Sequence, residues 1–182
     1  MNSIVFTFCR MSPPTIGHEK LISCLVETAK LYNADHKVFL SQTHKAPNDP
    51  LEWSFKLRVC EAAFPGVSIS RDPAIRTPFQ ALESFKGKYN KVFLIVGEDR
   101  IEEFSTRMTP YAEKWGFIFE VISAGNRNPL TEGVEGISAS KLREFAMNGE
   151  DEKFLSNLPK AINKKVGELL LRNTKKGLRQ SA

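Results

Sequence analysis

The amino-acid sequence predicts an α/β fold in which a doubly wound, parallel sheet of five strands is followed by C-terminal helices. Three observations support this prediction. Short apolar runs alternate along the chain with segments of helical periodicity, which is the pattern of βαβ units. The run 91–96 is apolar after its first lysine, as expected of a strand that is buried on both faces. Loops rich in polar and turn residues follow the strands, at the end of a parallel sheet where ligands bind.

The elements follow one another in regular order. The predicted strands are Ile4–Phe8, His36–Ser41, Val67–Ser70, Lys91–Val96 and Phe117–Ile122. The first helix is predicted by apolar residues that recur at helical spacing, namely Leu21, Ile22, Leu25, Val26 and Ala29. Further helices are predicted over residues 51–64, 79–86, 138–147, 152–158 and 162–172, and another begins at residue 101. We expect residues 1–150 to form the α/β domain and residues 151–182 to form a helical appendage of the same domain with a basic tail.

The composition bounds the class of protein. With 182 residues, of which 41% are hydrophobic and 26% charged, the chain has the size and composition of one globular domain. No apolar run approaches the roughly 20 residues that span a bilayer, and no secretion signal is recognisable. Three widely spaced cysteines predict neither a disulfide framework nor a zinc site. We therefore expect a cytoplasmic protein without membrane association, and homo-oligomer formation stays open.

The net charge of +5 is concentrated near the C-terminus. Residues 153–182 contain eight lysines and arginines against the single acid Glu168, so the preceding residues are slightly acidic. A basic tail can contact nucleic acid or an acidic partner. No aromatic-rich nucleic-acid signature accompanies this one. We therefore interpret it as a solvated helix face and do not expect nucleic acid as a partner, although a nucleic-acid binder remains the alternative.

The loop of residues 9–18 is the first candidate binding site. It joins the first strand to the first helix. The N-terminus of that helix would present unpaired N–H groups and a partial positive charge, which suit phosphate. Gly17 lacks the Cβ that would hold a ligand away. Arg10 and His18 can both donate hydrogen bonds to phosphate oxygens.

Two segments of the sequence resemble the signature motifs of the nucleotidyltransferase superfamily, which includes nicotinamide-mononucleotide adenylyltransferases and cytidylyltransferases. Thr15-Ile16-Gly17-His18 resembles the (H/T)xGH motif, and the segment 137–143, Ile-Ser-Ala-Ser-Lys-Leu-Arg, resembles ISxTxxR. The similarity spans residues 3–147 and is greatest to small bacteriophage proteins of the nicotinamide-nucleotide adenylyltransferase type. It implies a Rossmann-like sheet and, if the protein is phage-encoded, location in the host cytoplasm.

The resemblance implies roles for the residues of the two motifs. His18 would hydrogen-bond the α- and β-phosphates of a nucleoside triphosphate (NTP) as charge builds during transfer. Thr15 would donate one hydrogen bond where many members have histidine, and Gly17 would let the nucleotide approach. Arg143 would hold the phosphates that leave as pyrophosphate, together with Ile137, Ser138 and Ser140 at the start of a helix. Ser138 and Ser140 also suit the simpler role of N-cap residues.

Further residues outside the two motifs complete the predicted site. By resemblance, Lys45 would contact the transferring phosphate, although a loop lysine can equally be solvated, and Asn48 would shape the acceptor pocket. Gly97-Glu98-Asp99-Arg100 resembles the GxD motif of the adenylyltransferase branch, in which the glycine admits the nucleotide and the acid contacts the ribose or the acceptor. Arg76 would bind the phosphate of the acceptor. Phe8, Cys9 and Arg10 would lie near the base, together with residues 123–137.

The resemblance implies transfer of a nucleoside monophosphate from an NTP to a phosphorylated acceptor, with release of pyrophosphate. The Gly97 and Asp99 pair favours ATP as the NTP and nicotinamide mononucleotide as the acceptor, and hence NAD synthesis. The alternatives are a CTP-dependent cytidylyltransferase acting on a phosphorylated small molecule, and a non-catalytic nucleotide-binding protein. Mg²⁺ would be bound mainly through the NTP phosphates. The residues fit a reaction that depends on positioning and charge neutralisation, because no Ser/His/Asp pattern or two-metal carboxylate cluster is recognisable.

Overall fold

A four-stranded sheet with the strand order β2-β1-β3-β4 carries the first part of the fold. Its strands are β1 (Ser3–Cys9), β2 (Asp35–Leu40), β3 (Lys91–Val96) and β4 (Ile118–Ser123). β3 pairs in parallel with both β1 and β4. The computed structural model describes residues 2–125 and 137–180. The predicted α/β class with a parallel sheet is confirmed.

The sheet has four strands, so the prediction of five was wrong. The segment Val67–Ser70 forms a single parallel bridge, between Ile69 and Val38, in place of a strand. The Ser68 N–H donates a hydrogen bond to the Nε2 atom of His36 at 3.1 Å. It is therefore not available to extend the pairing between strands. Pro73, which has no N–H to donate, follows shortly after.

The described residues divide into two compact units. Unit 1 comprises 1–9, 20–39 and 67–127, and unit 2 comprises 10–19, 40–66 and 128–182, in each case within the described ranges. Unit 1 contains the sheet, the greater part of α1 (Ile16–Leu31), α3 (Pro78–Glu83), a 3-10 turn (Glu98–Arg100) and α4 (Ile101–Lys114). Its core is aromatic, with Phe6 in edge-to-face contact with Phe39 and Phe85 at centroid distances of 6.0 and 5.2 Å.

Unit 2 contains α2 (Trp53–Ala63), α5 (Ala139–Asn148), α6 (Asp151–Ser156) and α7 (Lys164–Arg179). Side chains of all four helices share one apolar core, which includes Val59, Leu142, Phe154 and Leu170. The predicted boundary at residue 150 therefore falls inside one compact unit, and the residues after it are packed.

α7 continues to Arg179, seven residues beyond its predicted end. Its later turns are held by buried Thr174, Gly177 and Leu178, while Arg172, Lys176 and Arg179 are exposed on the other face. Among the described residues, no helix is long and apolar enough to cross a membrane. Much of the basic tail is thus the polar face of an amphipathic helix.

At Gly177, α7 lies against the backbone of Pro50 in unit 2. A Cβ added at this position would lie 1.9 Å from the carbonyl oxygen of Pro50 and 2.8 Å from its carbonyl carbon. Both atoms belong to the backbone, so the two segments would have to separate.

We expect Gly177→Ala to lower the free energy of unfolding by about 2 kcal/mol or more, because the overpacking cost exceeds the gain in helix propensity. Gly167→Ala in the same helix is the matched control, since its nearest neighbours are the mobile methyl groups of Leu158 and Leu155 at 3.2 and 3.3 Å. Urea unfolding of both variants measures the difference, and equal stabilities would contradict the expectation.

Candidate active site

The two motif segments meet at the Thr15 side chain in unit 2. The hydroxyl of Thr15 donates to the carbonyl oxygen of Ile137 at 3.0 Å, across 122 residues of sequence, and accepts from the Gly17 N–H at 3.1 Å. Thr15 is 1% exposed. A Cβ at Gly17 would lie 2.9 Å from the Ile137 carbonyl oxygen, so a residue without a side chain is required for this contact. The hydroxyl, to which the resemblance assigns one donated hydrogen bond, donates it to the Ile137 carbonyl and so joins the two segments.

Arg143 is oriented by the first motif segment. Its Nη1 atom donates to the Ser12 carbonyl at 3.0 Å, and its Nη2 atom donates to the Ser140 hydroxyl at 3.1 Å. The Ser12 hydroxyl in turn accepts from the Leu51 N–H at 3.3 Å. These bonds fix the plane of a half-buried guanidinium group, which suits recognition of a phosphate.

His18 is 8% exposed and has a defined tautomer. Its Nδ1 atom accepts a hydrogen bond from the Thr15 N–H at 2.9 Å. Because a backbone N–H can only donate, Nδ1 carries no proton in this arrangement, and the proton of the neutral ring is on Nε2. In this arrangement the His18 ring is neutral, with its N–H on Nε2, and positive charge at the site must come from other groups.

That charge comes from two arginines. Burial lowers the pKa of Arg143, the neighbouring Arg10 guanidinium lowers it further, and the Asp49 carboxylate opposes both effects. Arginine nevertheless stays protonated at neutral pH. Arg10 is exposed, and among the described residues no carboxylate pairs with it. Two neighbouring positive charges favour binding of an anion.

The turn that separates Arg10 from Ser12 is held by packing. Met11 has a φ of +46°, in the left-handed region that side chains other than glycine seldom adopt. Its side chain is 1% exposed and lies 3.8 Å, sulfur to sulfur, from Cys60. Burial of the thioether compensates the backbone strain and sets the direction of the loop.

The helix α5 begins at the second motif. The Ser138 hydroxyl accepts from the Lys141 N–H at 3.2 Å and is thereby the N-cap. Ser140 is exposed. Lys141 pairs with Glu144 at 3.1 Å on the exposed face. The N-cap role that the sequence allows for Ser138 is thus present, and the helix start presents N–H groups next to Arg143.

Lys45 lies in a tight backbone hairpin. Its N–H donates to the Asp49 carbonyl at 2.8 Å, and the Asp49 N–H donates back at 2.9 Å. Lys45 and Asn48 are both exposed at this turn. The Asp49 side chain points inward and meets Lys56 of α2, a pair that the sequence analysis did not identify. The sequence feature that could have revealed this pair is the position of Lys56 on the same helix stripe as the apolar residues Val59, Cys60 and Ala63.

The remaining predicted residues belong to unit 1. Phe8 and Cys9 end β1, beside the end of β3, after which Gly97 is buried. Asp99 and Arg100 are exposed, and Arg100 pairs with Glu103 at 2.7 Å. Arg76 is exposed and donates to the Pro73 carbonyl at 3.4 Å. Most of the loop expected near the base, residues 126–136, lies outside the described residues.

Comparison with known proteins establishes the fold. No protein-family model and no curated protein matches the sequence. The structure is similar to that of a candidate nicotinate-nucleotide adenylyltransferase from Vibrio parahaemolyticus, with a TM-score of 0.60, 16% identity and coverage of 94% of this chain and 99% of that chain. It is also similar to a bifunctional NMN adenylyltransferase/ADP-ribose pyrophosphatase from Francisella tularensis complexed with AMP and a manganese ion.

For this second protein the TM-score is 0.60, the identity is 14%, and 98% of this chain matches 52% of that chain. The chain therefore spans about half the length of the bifunctional enzyme. At such identities the similarity establishes a common fold, and the prediction of a Rossmann-like architecture is confirmed.

We expect Thr15→Val to lower the free energy of unfolding by about 1–2 kcal/mol, because the Ile137 carbonyl and the Gly17 N–H both lose their partner while the side-chain volume is kept. Thr15→Ser retains the hydroxyl and is the matched control. Denaturant titration of the two variants separates the hydroxyl from the methyl group. If the serine variant is the less stable, the hydroxyl is not what joins the segments.

Proposed function

We propose that the protein is a nucleotidyltransferase that transfers a nucleoside monophosphate from an NTP to a phosphorylated acceptor and releases pyrophosphate. The favoured reaction is adenylyl transfer from ATP to nicotinamide mononucleotide, the last bond-forming step of NAD synthesis. One observation carries the proposal. Unit 2 holds two arginines and a histidine of defined tautomer on segments joined by the Thr15–Ile137 hydrogen bond.

This arrangement suits a polyphosphate. Arg143 would bind the β- and γ-phosphates with a guanidinium fixed by Ser12 and Ser140. Arg10 would add a second positive charge, and the start of α5 would add N–H donors. The Nε2–H of His18 would donate to a phosphate oxygen as negative charge moves toward the leaving pyrophosphate.

The proposed step is an in-line displacement. An oxygen of the acceptor phosphate forms a bond to the α-phosphorus of the NTP, and the bond from the α-phosphorus to the bridging oxygen breaks. Pyrophosphate leaves with that oxygen and its electron pair. The protein supplies positioning and charge neutralisation, with Lys45 proposed to contact the transferring phosphate. The divalent ion enters as part of the substrate, bound to the triphosphate as Mg-NTP.

The choice of base and acceptor is a separate part of the proposal. The adenylyl assignment follows from the Gly97 and Asp99 pattern and agrees with the names of the two similar structures, one of which was complexed with AMP. In unit 1, Phe8, Cys9, Gly97, Asp99 and Arg100 are proposed to bind the nucleotide. Arg76, also in unit 1, and Asn48, in unit 2, are proposed to bind the acceptor.

The proposal predicts that the protein with ATP, nicotinamide mononucleotide and Mg²⁺ forms a dinucleotide and pyrophosphate in equal amounts, as measured by chromatography and a coupled pyrophosphate assay. His18→Ala should lower kcat by about 10²–10³-fold, because a donor to the developing charge is lost. CTP with phosphorylated alcohols tests the cytidylyl alternative. Tight NTP binding without pyrophosphate release on any acceptor would instead identify a non-catalytic nucleotide-binding protein.

Replacing Arg143 tests the anion site directly. We expect Arg143→Gln to lower kcat/KM for the NTP by about 10²-fold, because the variant leaves phosphate oxygens without a charged partner. Arg58→Gln is the matched control, since Arg58 is exposed on α2. It should leave kcat/KM unchanged. Similar losses in both variants would show that overall charge, and not the position of Arg143, determines binding.

A further inference from the structure

A buried ion pair lies directly behind the hairpin that carries Lys45. The Nζ atom of Lys56 is 3.0 Å from Oδ1 of Asp49, and the two residues are 0% and 2% exposed. The other carboxylate oxygen, Oδ2, accepts from the hydroxyls of Ser41 and Thr43 at 2.8 and 2.5 Å. Lys56 also donates to the Ser41 hydroxyl at 3.0 Å. The network is closed, because among the described residues no buried side-chain nitrogen or oxygen is without a hydrogen-bond partner.

The network is linked to the candidate anion site through short connections in unit 2. Asp49 exchanges two backbone hydrogen bonds with Lys45. Two residues after Asp49, the Leu51 N–H donates to Ser12, whose carbonyl accepts from Arg143. The Asp49 carboxylate is also close enough to Arg143 to influence its protonation. Asp49 is therefore an acidic group that can compete with a bound phosphate for the site's cations.

Stability alone does not explain the pair. Burying two charges costs solvation free energy that their attraction roughly repays, and well-packed apolar residues often serve the fold as well. An acidic residue at position 49 is useful to the hairpin, because it accepts from two hydroxyls. The same carboxylate, left without Lys56, would place an uncompensated negative charge beside a site for anions.

We propose that Lys56 is a positioning residue of the proposed active site. Its ammonium group neutralises Asp49 inside the protein, so that this carboxylate does not draw Arg143 or Lys45 away from the substrate phosphates. The inference rests on the proposed function only for the identity of the substrate. It requires just that the site binds a polyphosphate.

Binding of inorganic tripolyphosphate, measured by titration calorimetry, tests the inference without requiring catalysis. Lys56→Met should weaken binding by about tenfold or more, because Asp49 becomes an unpaired anion. The double variant Asp49→Asn with Lys56→Met has no charge at either position, and it should bind within about threefold of the wild type. Lys165→Met, which removes an exposed charge from α7, is the control for net charge and should bind as the wild type does.

Recovery in the double variant shows that the unpaired charge of Asp49, and not the loss of the Lys56 side chain itself, weakens binding. If the single and double variants bind equally weakly, or if Lys56→Met binds as tightly as the wild type, the inference is wrong. Should Lys56→Met fail to fold, Lys56→Gln replaces it, since glutamine can hydrogen-bond Asp49 without carrying charge. Tripolyphosphate binding with this pattern but no nucleotidyl transfer would retain the inference and reject the proposed function. No binding by the wild type would reject both.

Discussion

The hydrogen bond from the Thr15 hydroxyl to the Ile137 carbonyl is the interaction on which the candidate site depends. It joins segments that are 122 residues apart, and the same oxygen accepts from Gly17 at the start of α1. Arg143 adds a second connection by donating to Ser12. A neutral hydrogen bond contributes about 1 kcal/mol and a charged one somewhat more. The site is therefore held by a few modest interactions, and the close approach of Ile137 among them requires glycine at position 17.

In the candidate site, the neutral hydrogen-bond donor and the positive charges belong to different residues. His18 receives the Thr15 N–H on Nδ1 and so serves as a neutral donor, while Arg10 and Arg143 supply the positive charge. This division suits a reaction in which negative charge moves between phosphates. In such a reaction a fixed guanidinium would attract the phosphates, and a neutral donor would respond to charge that develops later. The buried Asp49–Lys56 pair belongs to the same electrostatic balance.

Much of the fold could be predicted from local pattern. Alternating apolar runs and helical periodicity located four strands and the principal helices within a few residues, and the two motifs indicated segments that do pack together. What the sequence could not reveal depends on tertiary partners. The Ser68 N–H donates to the side chain of His36 and not to a neighbouring strand. Burial of Thr174 and Leu178 extends α7 beyond its predicted end.

In the candidate site, too, the sequence does not reveal contacts that depend on tertiary partners. The resemblance gives the Thr15 hydroxyl one hydrogen bond to donate, but the acceptor is a carbonyl whose position no local pattern reveals. Lys56 was overlooked because the long stem of a lysine among apolar helix residues normally lets its ammonium group reach water. Its burial becomes understandable only once Asp49 is known to lie opposite. Residue types and spacing therefore predicted which segments come together better than they predicted the partner of each atom.

The amphipathic character of α7 has a practical consequence for handling the protein. Since the residues before 153 are slightly acidic, the positive charge that gives a pI near 9.1 is displayed mainly by one helix face and its approach. A cation-exchange resin at neutral pH would therefore retain the molecule in a preferred orientation, through that helix, and release it over a narrow range of ionic strength.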